Sequence, residues 1–62
     1  MEKPKVKLVG RDGNAFAILG ACQREMRRIG WTDEQIDDFH DEAMSGDYDH
    51  LLRTAMKYCE VY

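Results

Sequence analysis

The chain has one serine, one proline, two cysteines and two histidines among its 62 residues. Each scarcity excludes something. Ser45 is the only serine and has no acid–base partners arranged around it, so no nucleophile–base–orienter set can be assembled. Cys22 and Cys59 fall on expected apolar helix faces. Two cysteines without a secretion signal do not make a disulfide framework, and both are expected as reduced, buried thiols that pack as small hydrophobes. His40 and His50 lack the spacing of a metal-binding helix, and no Cys-x-x-Cys is present, so no metal site and no cofactor are expected.

No apolar run approaches the roughly 20 residues needed to span a bilayer, so no membrane association is expected. The start, Met1-Glu2-Lys3-Pro4-Lys5, is too charged for a secretory leader, which makes the cytoplasm the default compartment. No glycine-rich loop ends in Gly-Lys-Ser/Thr to cradle phosphate. A chain this short also leaves little room for a ligand cavity of about 300 Å³ or more. An enzyme is therefore not expected, and no residue is assigned a catalytic role.

Positive charge is missing from one whole segment, and that is the strongest feature present. Residues 1–31 carry seven Lys/Arg against three Asp/Glu, a net of +4, whereas residues 32–62 carry two against nine, a net of −7. Thr32 to Asp49 holds eight carboxylates and no Lys or Arg. Such a split points to a binding surface, or to a molecule that packs one half against the other.

A single domain, residues 1–62, is expected. Lys5 to Val9 alternates polar and apolar residues, the mark of a half-buried strand. Gly10 to Asn14 reads as a turn, with Asn14 capping a first helix over about 15–29. Its apolar stripe is Ala15, Ile18, Leu19, Cys22, Met26 and Ile29. Gly20 within it suggests close packing by a neighbour, and Gly30 ends it as a left-handed residue. Thr32-Asp33-Glu34-Gln35 is a capping box that opens a second helix over about 33–45, with Trp31 and Ile36 as its hydrophobic staple. Ile36, Phe39, His40, Ala43 and Met44 form the inward stripe; Asp33, Glu34, Asp37, Asp38, Asp41 and Glu42 face out. Asp47 caps a third helix over about 48–59, with Tyr48, Leu51, Leu52, Ala55, Met56 and Cys59 as its apolar face. The fold class is mainly α: a compact three-helix bundle carrying a small two-stranded β element made from the two terminal segments. A bundle this small has a thin stability margin.

Asp12-Gly13-Asn14-Ala15-Phe16, together with Glu42-Ala43-Met44-Ser45-Gly46-Asp47-Tyr48-Asp49-His50-Leu51-Leu52, resembles a family of short, uncharacterised proteins of bacteriophages and prophages. The resemblance runs from about Val6 to Val61. It implies a phage-encoded protein made in the cytoplasm of a bacterial host. By analogy with other small phage proteins, it also implies binding to a host or defence component.

Two surfaces are candidates. The acidic face of the second helix, above all Asp37, Asp38, Asp41 and Glu42, suits a basic protein partner, because its like charges at i,i+4 are mutually unfavourable until neutralised. Alternatively, Arg24, Arg27 and Arg28 could meet nucleic-acid phosphates, although a sequence pI near 5.2 is far from the usual basic footprint. Phe16, Trp31, Tyr58 and Tyr62 are more than so small a core can hide, which makes homodimerisation a further expectation.

Overall fold

The computed structural model describes residues 3–8 and 13–62. Val9, the last residue of the expected strand, and Gly10, Arg11 and Asp12 of the expected turn lie outside them. In chain order the elements are β1 (Lys5–Val6), α1 (Ala15–Arg28), α2 (Asp33–Ala43), α3 (Tyr48–Tyr58) and β2 (Glu60–Val61). The three-helix architecture and the two-stranded element are as expected from the sequence.

Each helix begins where a polar side chain satisfies its open amides. Asn14 accepts from the Phe16 amide at 2.8 Å. Thr32 accepts from the Gln35 amide at 3.1 Å, while the Gln35 side chain accepts from the Thr32 amide at 2.8 Å, completing the capping box. Asp47 accepts from the His50 amide at 2.9 Å. The end of α1 is equally well defined. Gly30 sits at φ 97°, its amide donating to the Arg27 carbonyl at 3.1 Å and that of Trp31 to Met26 at 2.9 Å. This pair of bonds is the Schellman closure, and the positive φ is why a glycine stands there.

The helices stop one or two residues short of the expected limits. For α2 the cause is visible. The Glu42 carbonyl receives the Ser45 amide at 3.2 Å, the Ser45 hydroxyl at 2.7 Å and the His50 ring Nε2 at 2.8 Å. These donors take the place of continued helix and fold the chain towards α3. Gly46 occupies the bend, where an added Cβ would lie 2.8 Å from His50 Cγ and 2.9 Å from His50 Cβ. Gly46→Ala is therefore expected to displace the imidazole from this junction. A loss of about 1–3 kcal/mol follows, the range for leaving buried hydrogen-bonding groups unsatisfied, to be read by urea unfolding.

The core consists of Val6, Ile18, Leu19, Ala21, Cys22, Met26, Ile36, Phe39, Ala43, Leu51, Ala55 and Cys59, with Trp31, Leu52 and Tyr58 packed against it. Cys22 and Cys59 are both free and buried. The two thiols share a hydrogen bond, and this contact together with burial pushes the Cys59 thiol well above its ordinary range. α2 and α3 form the principal helix pair, while α1 contacts both.

Several expected inward residues lie elsewhere. Met44, Tyr48 and Met56 are exposed. Met44 is the C-cap of α2, its amide donating to the His40 carbonyl at 3.0 Å, one residue past Ala43, the last buried residue of that helix. Tyr48 is the first residue of α3, and its hydroxyl donates to the Gly13 carbonyl, tying α3 to the approach to α1. Met56 is rotated away from the buried face centred on Leu51 and Ala55 at about 100° per residue. Thr54 fills the corresponding flank instead; it is buried, its hydroxyl donating to the His50 carbonyl at 2.8 Å. Gly20 is exposed and an added Cβ would meet nothing within 4 Å, so close packing does not account for it.

The terminal strands pair in parallel, Lys5 opposite Glu60 and Val6 opposite Val61. Glu60 donates to the Pro4 carbonyl at 2.9 Å, Tyr62 to Val6 at 3.0 Å and Leu8 to Tyr62 at 2.6 Å. β1 rests on α1 and β2 on α3, so the two ends of the described chain are locked to each other and to the bundle.

Candidate functional site

The capping box at Thr32 and the buried line Ile36, Phe39 and Ala43 fix the rotation of α2 about its axis. That rotation places Asp33, Glu34, Asp37, Asp38 and Asp41 in solvent. Asp33 and Glu34 lie in the first turn, where the helix dipole favours negative charge. Asp41 has His40 Nδ1 at 3.8 Å.

Glu42 stands apart from the other carboxylates. It is half-buried on the flank facing α3, accepting from Lys57 Nζ at 2.9 Å and from the Tyr58 hydroxyl at 2.8 Å. Among the described residues it is the only α2 carboxylate held by a Lys or Arg. Among the described residues no arginine of α1 pairs with an α2 carboxylate; Arg28 Nε donates instead to Glu25 Oε1 at 2.6 Å.

The hydrogen bonds from Lys57 and then Tyr58 hold the Glu42 carboxyl below its ordinary value of 4.5. The bond to Glu42 raises Lys57 above 10.5 and Tyr58 above 10.0. A lowered carboxyl contributes stability that is complete above its unfolded value and disappears as pH falls through its folded one. The raised Lys57 and Tyr58 contribute below their unfolded values, and lose that contribution as pH rises through the folded ones. The group is thus effective between about 4.5 and 10. Glu42→Gln is expected to lower the plateau of a melting-temperature profile slightly and to flatten its acid limb below about pH 4.5 by the same small amount, small because the pair is solvent-screened.

Beside this group lies a shallow cleft of about 280 Å³, lined by Lys3, Trp31, Gln35, Asp38 and Tyr58. Trp31 and Tyr58 meet edge to face with ring centroids 6.2 Å apart, and Tyr58 packs likewise on Phe39 at 5.3 Å. Asp38 is therefore an exposed carboxylate at the rim of an aromatic cleft. Spacing along the chain does not associate Asp38 with Trp31 and Tyr58. Trp31 and Gln35 were legible only as staple and cap, and Tyr58 lies a whole helix away along the chain.

On the opposite-signed half, the structure separates the three candidate arginines. Arg24 and Arg28, one turn apart on α1, line a groove of about 360 Å³ with Lys5, Val6, Lys7, Ala21, Glu25 and Tyr62. Arg27 is exposed and does not line it. Phe16 and Tyr62 are 73% and 60% exposed, while Trp31 and Tyr58 are half-buried against the core.

Both histidines are half-buried. His40, expected inward, has a side chain 45% exposed. His50 lies with Nε2 at 2.8 Å from the Glu42 carbonyl and 3.2 Å from Ser45 Oγ. Among the described residues no three His, Cys, Asp or Glu converge as metal ligands, and no helix is long and apolar enough to cross a membrane. No family model, no curated protein and no solved structure matches this chain.

Proposed function

We propose that this chain is a non-catalytic protein-binding module that engages a basic partner through the outer face of α2. The observation that carries this reading is the pairing of uncovered carboxylates with an aromatic cleft. Asp33, Glu34, Asp37, Asp38 and Asp41 are exposed, and Asp38 also borders Trp31 and Tyr58. A Lys or Arg side chain of a partner would meet the Asp38 carboxylate beside the rings of Trp31 and Tyr58, at a rim that Lys3 also lines, and the exposed Asp37 and Asp41 close by on α2; a carboxylate with an aromatic neighbour favours cations at protein interfaces. Relief of like-charge repulsion along the helix adds to the gain. The resemblance to short phage proteins supplies the setting, a phage product acting on a basic component of its bacterial host.

The residues expected to engage the partner are Asp37, Asp38 and Asp41. Glu42 belongs to the same acidic stretch, but reversing its charge would also set two cations side by side at Lys57. The test is therefore Asp37→Lys/Asp38→Lys/Asp41→Lys in a pull-down from nuclease-treated bacterial lysate. The wild type should retain a basic protein that the triple variant loses, with the helical circular dichroism unchanged. Identical captured proteins for both forms would sink the proposal.

A further inference from the structure

The groove between the terminal strands and α1 brings together two rows of cations that are remote in sequence. Lys5 and Lys7 stand two residues apart at β1, and alternation along an extended chain puts such residues on one side. Arg24 and Arg28 are one turn apart on α1, and both rows line the same concavity. The one acidic side chain in the lining, Glu25, is already engaged by Arg28 Nε at 2.6 Å. That bond leaves the two outer guanidinium nitrogens of Arg28 as donors towards the groove. The lining therefore holds an excess of positive charge in a chain whose net charge is −3. Tyr62 adds an exposed aromatic ring to the same wall.

We propose that this groove is a binding site for single-stranded nucleic acid, its phosphates held by Lys5, Arg24 and Arg28 and a base stacked on Tyr62. Cations that track a backbone beside an aromatic platform are the two components of sequence-tolerant single-strand binding. A duplex is disfavoured because its bases are stacked internally and cannot reach Tyr62. The groove shares no lining residue with the cleft beside α2.

The experiment is a fluorescence-anisotropy titration of a labelled short oligothymidylate with the full chain. Binding should weaken roughly 100-fold between about 20 and 200 mM salt, as expected when about three phosphates are neutralised. Lys5→Gln/Arg24→Gln should weaken it at least about tenfold at low salt, on the same ion-release argument. Tyr62→Ala keeps the backbone pairing of β2 and should cost at least about fivefold, the lower end for one stacked base. Asp37→Lys/Asp38→Lys/Asp41→Lys should bind at least as tightly as the wild type, so a failure of the α2 reading and a failure of this one are distinguishable. The proposal is overturned by the absence of binding at about 20 mM salt, or by affinity indifferent to Lys5→Gln/Arg24→Gln. It is equally overturned if polyphosphate or polyglutamate competes as well as the oligonucleotide while Tyr62→Ala has no effect, since the groove would then be a general anion site.

Discussion

Phe39→Ala is expected to lose about 3–5 kcal/mol of stability, the usual range for emptying a buried aromatic site. Phe39 is 0% exposed and is the largest side chain wholly inside the molecule. It stands where α2 meets α3, with Tyr58 packed edge to face on its ring. The cavity would therefore open between the two helices that form the principal pair, and Tyr58 would lose the surface that holds it beside Glu42. A chain of this length has a total stability of roughly 3–9 kcal/mol at 0.05–0.15 kcal/mol per residue. The substitution removes a large share of that, and the variant should be substantially unfolded at 37 °C. Thermal melting followed by circular dichroism is the measurement; a midpoint within a few degrees of the wild type would show that the core closes around the gap.

Removing Glu60–Tyr62 should have the next largest effect. The deletion removes the pairing of Lys5 with Glu60 and Val6 with Val61, and with it the backbone bonds from Glu60 to Pro4, Tyr62 to Val6 and Leu8 to Tyr62. At about 0.5–1.5 kcal/mol net for each bond, this alone amounts to roughly 3 kcal/mol. Val6 and Pro4 are buried, and part of their burial goes as well, at about 1.5–3 kcal/mol for a fully exposed valine. The helices retain their caps, so the expected product keeps much of its helical signal while unfolding at a lower urea concentration. Amide exchange at Leu8 should rise to that of an unpaired residue. Continued protection there would mean that β1 is held by α1 alone.

The features that could be anticipated from sequence are those decided within one turn of chain. Asn14, Thr32 with Gln35, Asp47 and Gly30 act on amides and carbonyls a few residues away, so short-range chemistry was enough to place the helix ends within one or two residues. Residues at the edge of a stripe are another matter. His40 and Met44 share the periodicity of Ile36 and Phe39, but α3 covers only part of that arc, and periodicity alone does not say which part. Thr54 was overlooked because its polarity hides how well a threonine fits a buried helix face once its hydroxyl meets the His50 carbonyl.

The same limit applies to the candidate sites. The outward position of Asp37, Asp38 and Asp41 follows from the inward position of Ile36 and Phe39, and was accessible from spacing. The tether of Glu42 to Lys57 and Tyr58 was not, since those partners arrive from 15 and 16 residues away. Arg24, Arg27 and Arg28 look equivalent along the sequence. Only the placement of β1 and Tyr62 against α1 separates Arg24 and Arg28, which face a concavity, from Arg27, which does not.

The parallel pairing of β1 and β2 also determines how the molecule would respond to tension. Force applied at Lys3 and Tyr62 pulls β1 and β2 in opposite directions along their common axis. The bonds between them are then loaded side by side in shear and must fail together, whereas an antiparallel pair joined at its ends would unzip one bond at a time. Stretched from those two points, the bundle stays shielded until the strand pair ruptures, so the smallest element of the fold sets its mechanical limit.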